Sequence, residues 1–439
     1  MISEFVNNFS RISFDFGPTL LRWLEAHSSE IYESIIEADR LSIKRFGGHG
    51  SGMAQVYNHM IMPLANPKEK RTQTYWGAED FERRFGRYPE GMWLPETAVD
   101  ICTLEALAEA QIKFTILSPS QAFAVRGPDI EEWIDVSGGR INTRTAYSCN
   151  LPSGRTISLF FFDRALSTDI AFGDLLANGD VFVRALMGGF SNSEQPQLVN
   201  VASDGETYGH HHKSGYVALT RCLSQIDRGN AASTINYGFF LSLAPPTHEV
   251  KIIERTSWSC AHGVERWRSN CGCGSEIRRG YSQEWRKPLR LALDWLRDRL
   301  AEVYVEEGSR IFVDPVAVKD QLLQVAFDRR AEANHYLLMR VKSGLPRGEQ
   351  NKASGLLEML ECSALMYASD AWFWEDISRT ETVQALRFAA RGIGLARDVS
   401  GRDFDPGFRR LLLTARPNNL RFRTGAQLYE QLARTAKSV

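Results

Sequence analysis

Two short segments of this chain place carboxylates directly after an apolar stretch. The first is GMWLPETAVD at 91–100, and the second is VNVASDGETYGHHH at 199–212. Carboxylates serve as general acids, general bases and nucleophiles, so Glu96 and Asp204 are the leading candidates for a catalytic pair. Glu206 lies two residues beyond Asp204. We expect Glu206 to orient that loop or a substrate hydroxyl.

The first segment has the pattern of a strand, a turn and a helix. The strand should end where Pro95 interrupts the backbone, and Thr97 with Asp100 predicts the start of the following helix. A further strand is expected at 112–117. Glu96 would then lie at the carboxyl end of a strand in a βαβ unit, where parallel α/β folds assemble their ligand sites.

The second segment predicts the same layout. Residues 197–202 should form a strand and residues 204–212 a polar loop. A helix is expected at 215–226, with an apolar face towards the core made of Val217, Leu219, Leu223 and Ile226. Two carboxylates would therefore follow equivalent strand ends.

Both segments resemble glycoside hydrolase family 57. GMWLPET is similar to the Trp-Leu-Pro-Glu segment that carries the nucleophile in that family, and SDGETYGH is similar to the Asp-x-Glu-x-Phe-Gly-His segment that carries its acid/base. Three more segments resemble a branch in which a partly helical domain without an assigned function follows the barrel. They are ISFDFGPTLLRWLE at 12–25, YNHMIMPL at 57–64 and TSWSCAHGVERW at 256–267.

The resemblance implies a retaining glycoside hydrolase or transglycosylase acting on α-glucans, with Glu96 as nucleophile and Asp204 as acid/base. Hydrolysis, 4-α-glucanotransfer and branching all stay open, as does the particular glucan. The implied fold is α/β, a (β/α)7-type barrel over 1–275 followed by a mainly helical domain over 276–439. Nothing matches the family's opening His-Gln-Pro strand, so we expect an incomplete barrel whose first strand is missing, and the activity of such a fragment stays open.

Histidines and tryptophans near these segments are the candidate sugar ligands. His49 lies in a glycine-rich stretch, and a loop histidine without function is an equal alternative for it. The resemblance places His59 near the cleft and suggests that Trp258 faces substrate. His210 should hydrogen-bond a sugar hydroxyl, and Trp93 belongs to the segment that carries Glu96. Flat indole faces suit sugar rings, although most tryptophans in large domains pack in cores.

Two groups raise the question of a metal ion. The histidines at 210–212 are adjacent in one loop and should point in different directions, which favours sugar binding over metal binding. Cys260, His262, Cys271 and Cys273 have the side-chain types of a zinc site, but their one-residue spacers are tighter than usual. Zinc and plain reduced cysteines both remain open there. We assign no metal ligand and expect no cofactor.

Two other classes of function remain as alternatives. One is a carbohydrate-binding barrel without turnover. The other is a metal-dependent polysaccharide deacetylase, a related barrel shape, although the spaced His-x-x-x-His pattern of such enzymes is absent. Asp163 follows the apolar strand predicted from TISLFFF and could line the cleft, but an ion pair with Arg164 or a helix cap is favoured slightly, so Asp163 is left out of the catalytic assignment.

The composition indicates an ordinary globular chain. Of 439 residues 43% are hydrophobic and the net charge is −1, which gives no reason to expect a nucleic-acid or membrane partner. We expect a polysaccharide or oligosaccharide substrate, with the oligomeric state open. Seven cysteines, an odd number, favour a reducing cytoplasm over a disulfide framework.

The C-terminal part has the periodicity of packed helices. Pro288 should begin a helix, and further helices are expected at 354–368 and 380–397. The expected buried face of the first is Leu289, Leu293, Leu296, Leu300 and Val303. Trp372, Phe373 and Trp374 are expected to pack between helices rather than to extend a sugar site.

Overall fold

The protein is described from a computed structural model that covers residues 6–274, 280–320 and 339–435. The chain forms two compact units. The first comprises the residues up to Tyr57 together with 65–259, and the second comprises 58–64 together with the residues from Cys260 onwards. The first unit is α/β, and the described part of the second is mainly helical.

Two sheets organise the first unit. Three parallel strands run in the order β1-β2-β3: β1 (Phe14–Asp15), β2 (Gly52–Gln55) and β3 (Met92–Trp93). Six strands form a mixed sheet in the order β4-β8-β7-β9-β5-β6: β4 (Phe114–Leu117), β5 (Ala122–Arg126), β6 (Ile134–Asp135), β7 (Tyr147–Asn150), β8 (Thr156–Phe161) and β9 (His248–Ile252). A parallel bridge between Gly91 and Phe114 joins the two sheets at β3 and β4. Because β1, β2, β3, β4 and β8 are parallel, the residues that follow them meet at one edge.

Helices separate β1, β2, β3 and β4 along the chain and also lie between β8 and β9, whereas β4 to β8 follow one another without an α-helix. In the first unit the helices are α1 (Pro18–His27), α2 (Ser29–Arg45), α3 (Pro67–Phe85), α4 (Ile101–Glu109), α5 (Arg164–Phe172), α6 (Gly179–Gly188), α7 (Gly215–Arg228) and α8 (Tyr237–Leu243). Helix α3 shows why such boundaries follow from sequence. Asn66 and Glu69 form a capping box at its start, and Gly86 ends it in the left-handed conformation with φ 70°.

Three local predictions in the first unit are wrong. Residues 197–202 form an extended segment outside the assigned strands, in which Asn200 O accepts from Asp163 N (2.8 Å) and Ala202 N donates to the Ser167 hydroxyl (3.1 Å). Asp100 caps α4 by accepting from Thr103 N (2.8 Å), whereas Thr97 lies before the helix with φ 50°. On α7, Leu219 and Leu223 are buried as expected, whereas Val217 is exposed and Ala218 and Cys222 complete the buried face.

The described helices of the second unit are α9 (Arg286–Ile311), α10 (Pro315–Asp320), α11 (Arg347–Leu365), α12 (Asp370–Phe373), α13 (Thr380–Ser400), α14 (Asp405–Leu412) and α15 (Gly425–Thr435). The apolar face expected for the first of them is fully buried, which confirms that part of the sequence pattern. Trp372 is buried and its indole donates to Arg286 O (3.4 Å), so it packs between helices as expected. None of the described helices is long and apolar enough to cross a membrane.

We predict that Gly77→Ala strongly destabilises the first unit. Helix α3 crosses β2 so closely that a Cβ at Gly77 would lie 2.1 Å from the backbone oxygen of Gln55. The helix must move away from the sheet, which we expect to lower the free energy of unfolding by roughly 2 to 4 kcal/mol. Gly188→Ala, at the open end of α6 with no atom within 4 Å of the added Cβ, is the control. Equal unfolding midpoints for the two variants in urea would contradict this packing.

Candidate active site

Glu96 lies in a strained turn directly after β3. Its backbone has φ 58° and ψ 20°, and Thr97 follows with φ 50°. Two successive non-glycine residues in the left-handed region are costly, so the surrounding structure must hold them there. The Trp258 amide donates to Glu96 O (3.0 Å), and Gln121 Nε2 donates to Thr97 O (2.8 Å). The turn is thus fixed by residues far away in the chain.

The Glu96 carboxylate is oriented by two donors. The Trp258 indole N–H (2.8 Å) and the Ser259 hydroxyl (2.5 Å) both donate to Oε2. Oε1 accepts no hydrogen bond from any described residue. One carboxylate oxygen is therefore fixed by the protein while the other is available to a ligand.

An aromatic group supports this arrangement. The rings of Trp93 and Trp258 meet edge-on with centroids 5.3 Å apart, and Phe162 contacts Trp258 with centroids 5.8 Å apart. Both tryptophans are half-buried and pack on a hydrophobic cluster that includes Phe114 and Phe160. The indole that holds Glu96 is therefore positioned by the core of the unit.

Asp204 and Glu206 belong to an exposed loop whose base rests on the same core. Asp204 precedes a short 3₁₀ turn (Gly205–Tyr208), and both carboxylates are exposed. Ala202, two residues before Asp204, packs on the cluster that also carries Trp93 and Trp258. The two loops that carry the predicted carboxylates are thus anchored on one hydrophobic cluster.

Asp15 is a third acidic residue of the site, and the sequence reading did not identify it. Asp15 is the last residue of β1, so it lies at the same edge of the parallel sheet as Glu96, which follows β3. Burial raises its pKa to about 7, and the negative charges of Asp204 and then Glu206 add to the increase against the lowering effect of its own backbone hydrogen bond. The sequence held a signal for this residue, because Asp15 lies at the end of an apolar stretch and shortly before Gly17-Pro18 and a helix, and Glu96 likewise lies between a strand and a helix.

Gln55 adds a buried polar group at the same edge. It is the last residue of β2, and its Oε1 is buried without a hydrogen-bond partner among the described residues. A Cβ at Gly17 would lie 2.9 Å from this oxygen, so glycine is needed there for Oε1 to keep its position. At this edge of the sheet, β1 therefore ends in the acid Asp15, β2 ends in the amide Gln55, and β3 is followed by the acid Glu96.

The predicted histidine ligands lie in three different settings. His49 bonds Glu90 through Nδ1 (2.9 Å) at the amino end of β2 and β3, the end opposite Glu96, so we do not carry it into the proposed site. Although desolvation opposes it, hydrogen bonds from Lys113 and His49 lower the pKa of Glu90, which favours the ionised Glu90 carboxylate. His59 belongs to the second unit.

His59 and His210 remain predictions as sugar ligands. His59 has φ 53° and bonds the Ser369 hydroxyl through Nδ1 (2.7 Å). His210 is exposed, and its amide donates to Glu206 O (3.0 Å). Within the described ranges, the set of three or more side chains close enough to share a metal ion is Cys260, His262, Cys271 and Cys273, and the histidines at 210–212 are not part of it.

A groove of about 790 Å³ opens at the carboxyl ends of β4 and β8. Asp163, which follows β8, lines it and also caps α5 by accepting from Leu166 N (3.0 Å). Phe172, at the end of α5, lines the groove with 88% of its surface exposed. An exposed aromatic plane beside carboxylates suits a sugar ring.

Comparison with known proteins identifies the class. A model of glycosyl hydrolase family 57 matches residues 19–247, which is more than half of the chain, and a model of a domain of unknown function (DUF3536) matches residues 281–438. The chain belongs to glycosyl hydrolase family 57. It is 29% identical to alpha-amylase 1 of Dictyoglomus thermophilum over 115 residues, which are 26% of this chain and 16% of that relative.

Solved structures show the same fold. An exo-type maltose-forming amylase from Pyrococcus sp. ST04 superposes with a TM-score of 0.71 at 17% identity, covering 92% of this chain and 70% of the other. A 4-alpha-glucanotransferase from Thermococcus litoralis superposes with a TM-score of 0.53 at 15% identity, covering 89% of this chain and 54% of the other. The chain thus spans about half of the transferase and a small part of the curated amylase.

We predict that Asp15→Asn stabilises the protein at neutral pH but not at acidic pH. Between 3.8 and about 7 only the folded state keeps the Asp15 proton, so the wild-type free energy of unfolding falls as the pH rises. Above about 7 the folded state carries the full cost of the carboxylate. The variant lacks this cost, and we expect it to gain roughly 1 to 3 kcal/mol there relative to pH 4.

Urea unfolding of both proteins between pH 4 and pH 8 measures this difference. Asp204→Asn provides a second check. Removing the Asp204 charge should move the pH window of the Asp15 effect downwards, because that charge helps to raise the Asp15 pKa. A stability difference that does not vary with pH would refute the assignment.

Proposed function

We propose that this protein is a retaining glycoside hydrolase or transglycosylase that acts on α-glucans. The observation that carries the proposal is the Glu96 carboxylate, which is held through Oε2 by Trp258 and Ser259 at the carboxyl edge of the parallel strands. Membership of glycosyl hydrolase family 57 supports a glycosidic substrate. The similarity to two amylases and a 4-alpha-glucanotransferase supports α-glucans as the substrate class.

The proposed reaction has two steps. Asp204 donates its proton to the glycosidic oxygen while Glu96 attacks the anomeric carbon, so the glycosidic bond breaks and a glycosyl ester forms on Glu96. Asp204, now ionised, takes a proton from water or from a sugar hydroxyl, which attacks the same carbon and releases Glu96. Exposure of Asp204 suits a group that must meet both leaving group and acceptor.

Other side chains at this edge would bind the sugar. Trp93 and Trp258 offer partly exposed indoles beside Glu96, and Glu206 accompanies Asp204 on its loop. The unpartnered buried Oε1 of Gln55 would accept a hydrogen bond from a sugar hydroxyl that reaches it. His210 stays in the proposal as a further ligand, and a sugar contact of His59, which belongs to the second unit, stays a prediction.

The scaffold and location of this site are also proposals. The parallel order of β1, β2 and β3, continued through β4 to β8, supports a (β/α)7-type barrel. All seven cysteines are within the described residues and none forms a disulfide, which supports a reducing compartment, the cytoplasm.

Incubation with maltooligosaccharides and amylose distinguishes the possible outcomes. Shorter chains indicate hydrolysis, redistributed lengths indicate transfer, and new 1,6 linkages indicate branching. Binding of the same sugars without any product would replace the enzyme proposal with a carbohydrate-binding one. Acetate release from an acetylated polysaccharide would instead support a deacetylase.

We predict chemical rescue of a nucleophile variant. Glu96→Gly is the sharpest choice because glycine tolerates φ 58° without strain, so the turn should keep its shape. Turnover should fall by roughly 10⁴-fold or more, and azide should restore part of it with a product of inverted anomeric configuration. Product configuration is read by NMR. A folded variant with wild-type turnover would exclude Glu96 as nucleophile.

Asp204→Ala should respond to the leaving group. An activated aryl glycoside needs little protonation, so its first step should retain much more of the wild-type rate than the natural glucan does. Pre-steady-state release of the aryl group measures that step. Equal losses for both substrates, with unchanged thermal unfolding, would argue against an acid/base role.

Ser259→Ala should lower kcat more than it changes KM. The variant removes one hydrogen bond to the nucleophile while the substrate contacts stay intact, and loss of a bond to a charged group corresponds to roughly 10- to 100-fold in rate. Ser242→Ala, an exposed serine that bonds only Phe239 O among described residues, is the matched control. A change confined to KM would mean that Ser259 binds substrate instead.

A further inference from the structure

Three cysteines and a histidine converge at the start of the second unit. The sulfur atoms of Cys260, Cys271 and Cys273 and a ring nitrogen of His262 all lie within 4.8 Å of one another. Eight residues separate the two pairs, and a 3₁₀ turn (Glu265–Trp267) lies between them. The segment between the two pairs is held in place because the buried Trp267 indole donates to Ser369 O (3.1 Å).

Local turns allow all four side chains to meet although only one residue separates Cys260 from His262 and Cys271 from Cys273. Gly272 separates Cys271 from Cys273 with φ 78°, a conformation that suits glycine and turns both cysteines towards one point. Gly263 N donates to Cys260 O (3.1 Å), which closes a turn around His262. One-residue spacers therefore bring the ligand atoms together here.

The distances fit a tetrahedral metal site. Cys260 Sγ lies 3.9 Å from Cys271 Sγ, and Cys273 Sγ lies 3.4 Å from His262 Nδ1. Zn–S bonds of about 2.3 Å and Zn–N bonds of about 2.0 Å place neighbouring ligand atoms roughly 3.5 to 3.8 Å apart. A disulfide would require sulfur atoms about 2.0 Å apart, so the arrangement is that of four separate ligands.

We propose that Cys260, His262, Cys271 and Cys273 bind one structural Zn²⁺. Thiolate and imidazole are the ligands that zinc prefers, and four protein ligands complete its tetrahedron. No coordination position is left for water or substrate, so this ion holds the fold rather than acting in a reaction. It ties together two pairs of residues within the second unit.

The surroundings fit a thiolate centre. The Cys273 amide donates to Cys271 Sγ (3.4 Å), and Arg286 Nη1 lies 3.7 Å from the same sulfur. Three thiolates and a neutral imidazole on Zn²⁺ leave one net negative charge, and the fully buried Arg286 guanidinium offsets it. Arg286 is itself held by Gln283 Oε1 (2.6 Å) and Phe373 O (3.3 Å).

The test is metal analysis of the purified full chain. We expect about one zinc ion per chain, released by a strong chelator together with three newly reactive thiols. Replacement by Co²⁺ should give the visible absorption of a tetrahedral ion and a thiolate charge-transfer band. Cys271→Ser should lower the zinc content per chain at least tenfold. Cys102→Ser, which replaces an exposed cysteine outside the cluster, should leave the zinc content unchanged.

Zinc-free protein from a zinc-supplemented culture that also fails to take up Co²⁺ would overturn the proposal. So would a Cys260–Cys271 disulfide found by mass spectrometry, or zinc retained in the Cys271→Ser variant. If that variant does not fold, the thiol count and the cobalt spectrum of the wild-type chain decide. None of these measurements depends on glycosidase activity.

Discussion

The pair of hydrogen bonds between Glu96 Oε2 and the side chains of Trp258 and Ser259 is the constraint on which the candidate site depends. It joins residues 162 and 163 positions apart. The left-handed backbone of Glu96 and Thr97 is held by other bonds, from the Trp258 amide to Glu96 O (3.0 Å) and from Gln121 Nε2 to Thr97 O (2.8 Å). The structure thus uses strain in the turn to aim a carboxylate, and uses distant partners to maintain it.

The hydrophobic cluster beneath these residues explains why distant segments can cooperate. Trp93, Trp258 and Ala202 come from three parts of the chain and pack on the same buried side chains. Each contributes apolar area to the core, and a polar group of the site lies one to three residues further along the chain: Glu96 after Trp93, Ser259 after Trp258 and Asp204 after Ala202. Burial of these apolar side chains therefore positions the polar groups of the site, since moving any one of the three segments would expose part of the core.

The charges at this edge also carry a cost. Asp15 is half-buried near Asp204 and Glu206. Its pKa is raised by burial and then by these two charges, so ionising Asp15 as a third negative group is unfavourable in the folded protein. Lys113 and His49, by contrast, stabilise Glu90 at the opposite end of the strands. Acidic residues therefore gather at one edge of the sheet, whereas Glu90 is paired with bases at the other. Such a separation of the functional end from the stabilising end is typical of these scaffolds.

Sequence pattern by itself determined the family, the α/β first unit and the helical second part, because each depends on residues a few positions apart. Only the tertiary structure revealed the donors to Glu96, the proximity of Asp15 to Asp204 and the position of His49 away from Glu96. The sequence also left the Cys260 group open, since tight spacers argued against a metal until the turn at Gly272 brought the sulfur atoms together. These features depend on which distant segments meet, and hydrophobic packing decides that across the whole chain rather than within any one motif.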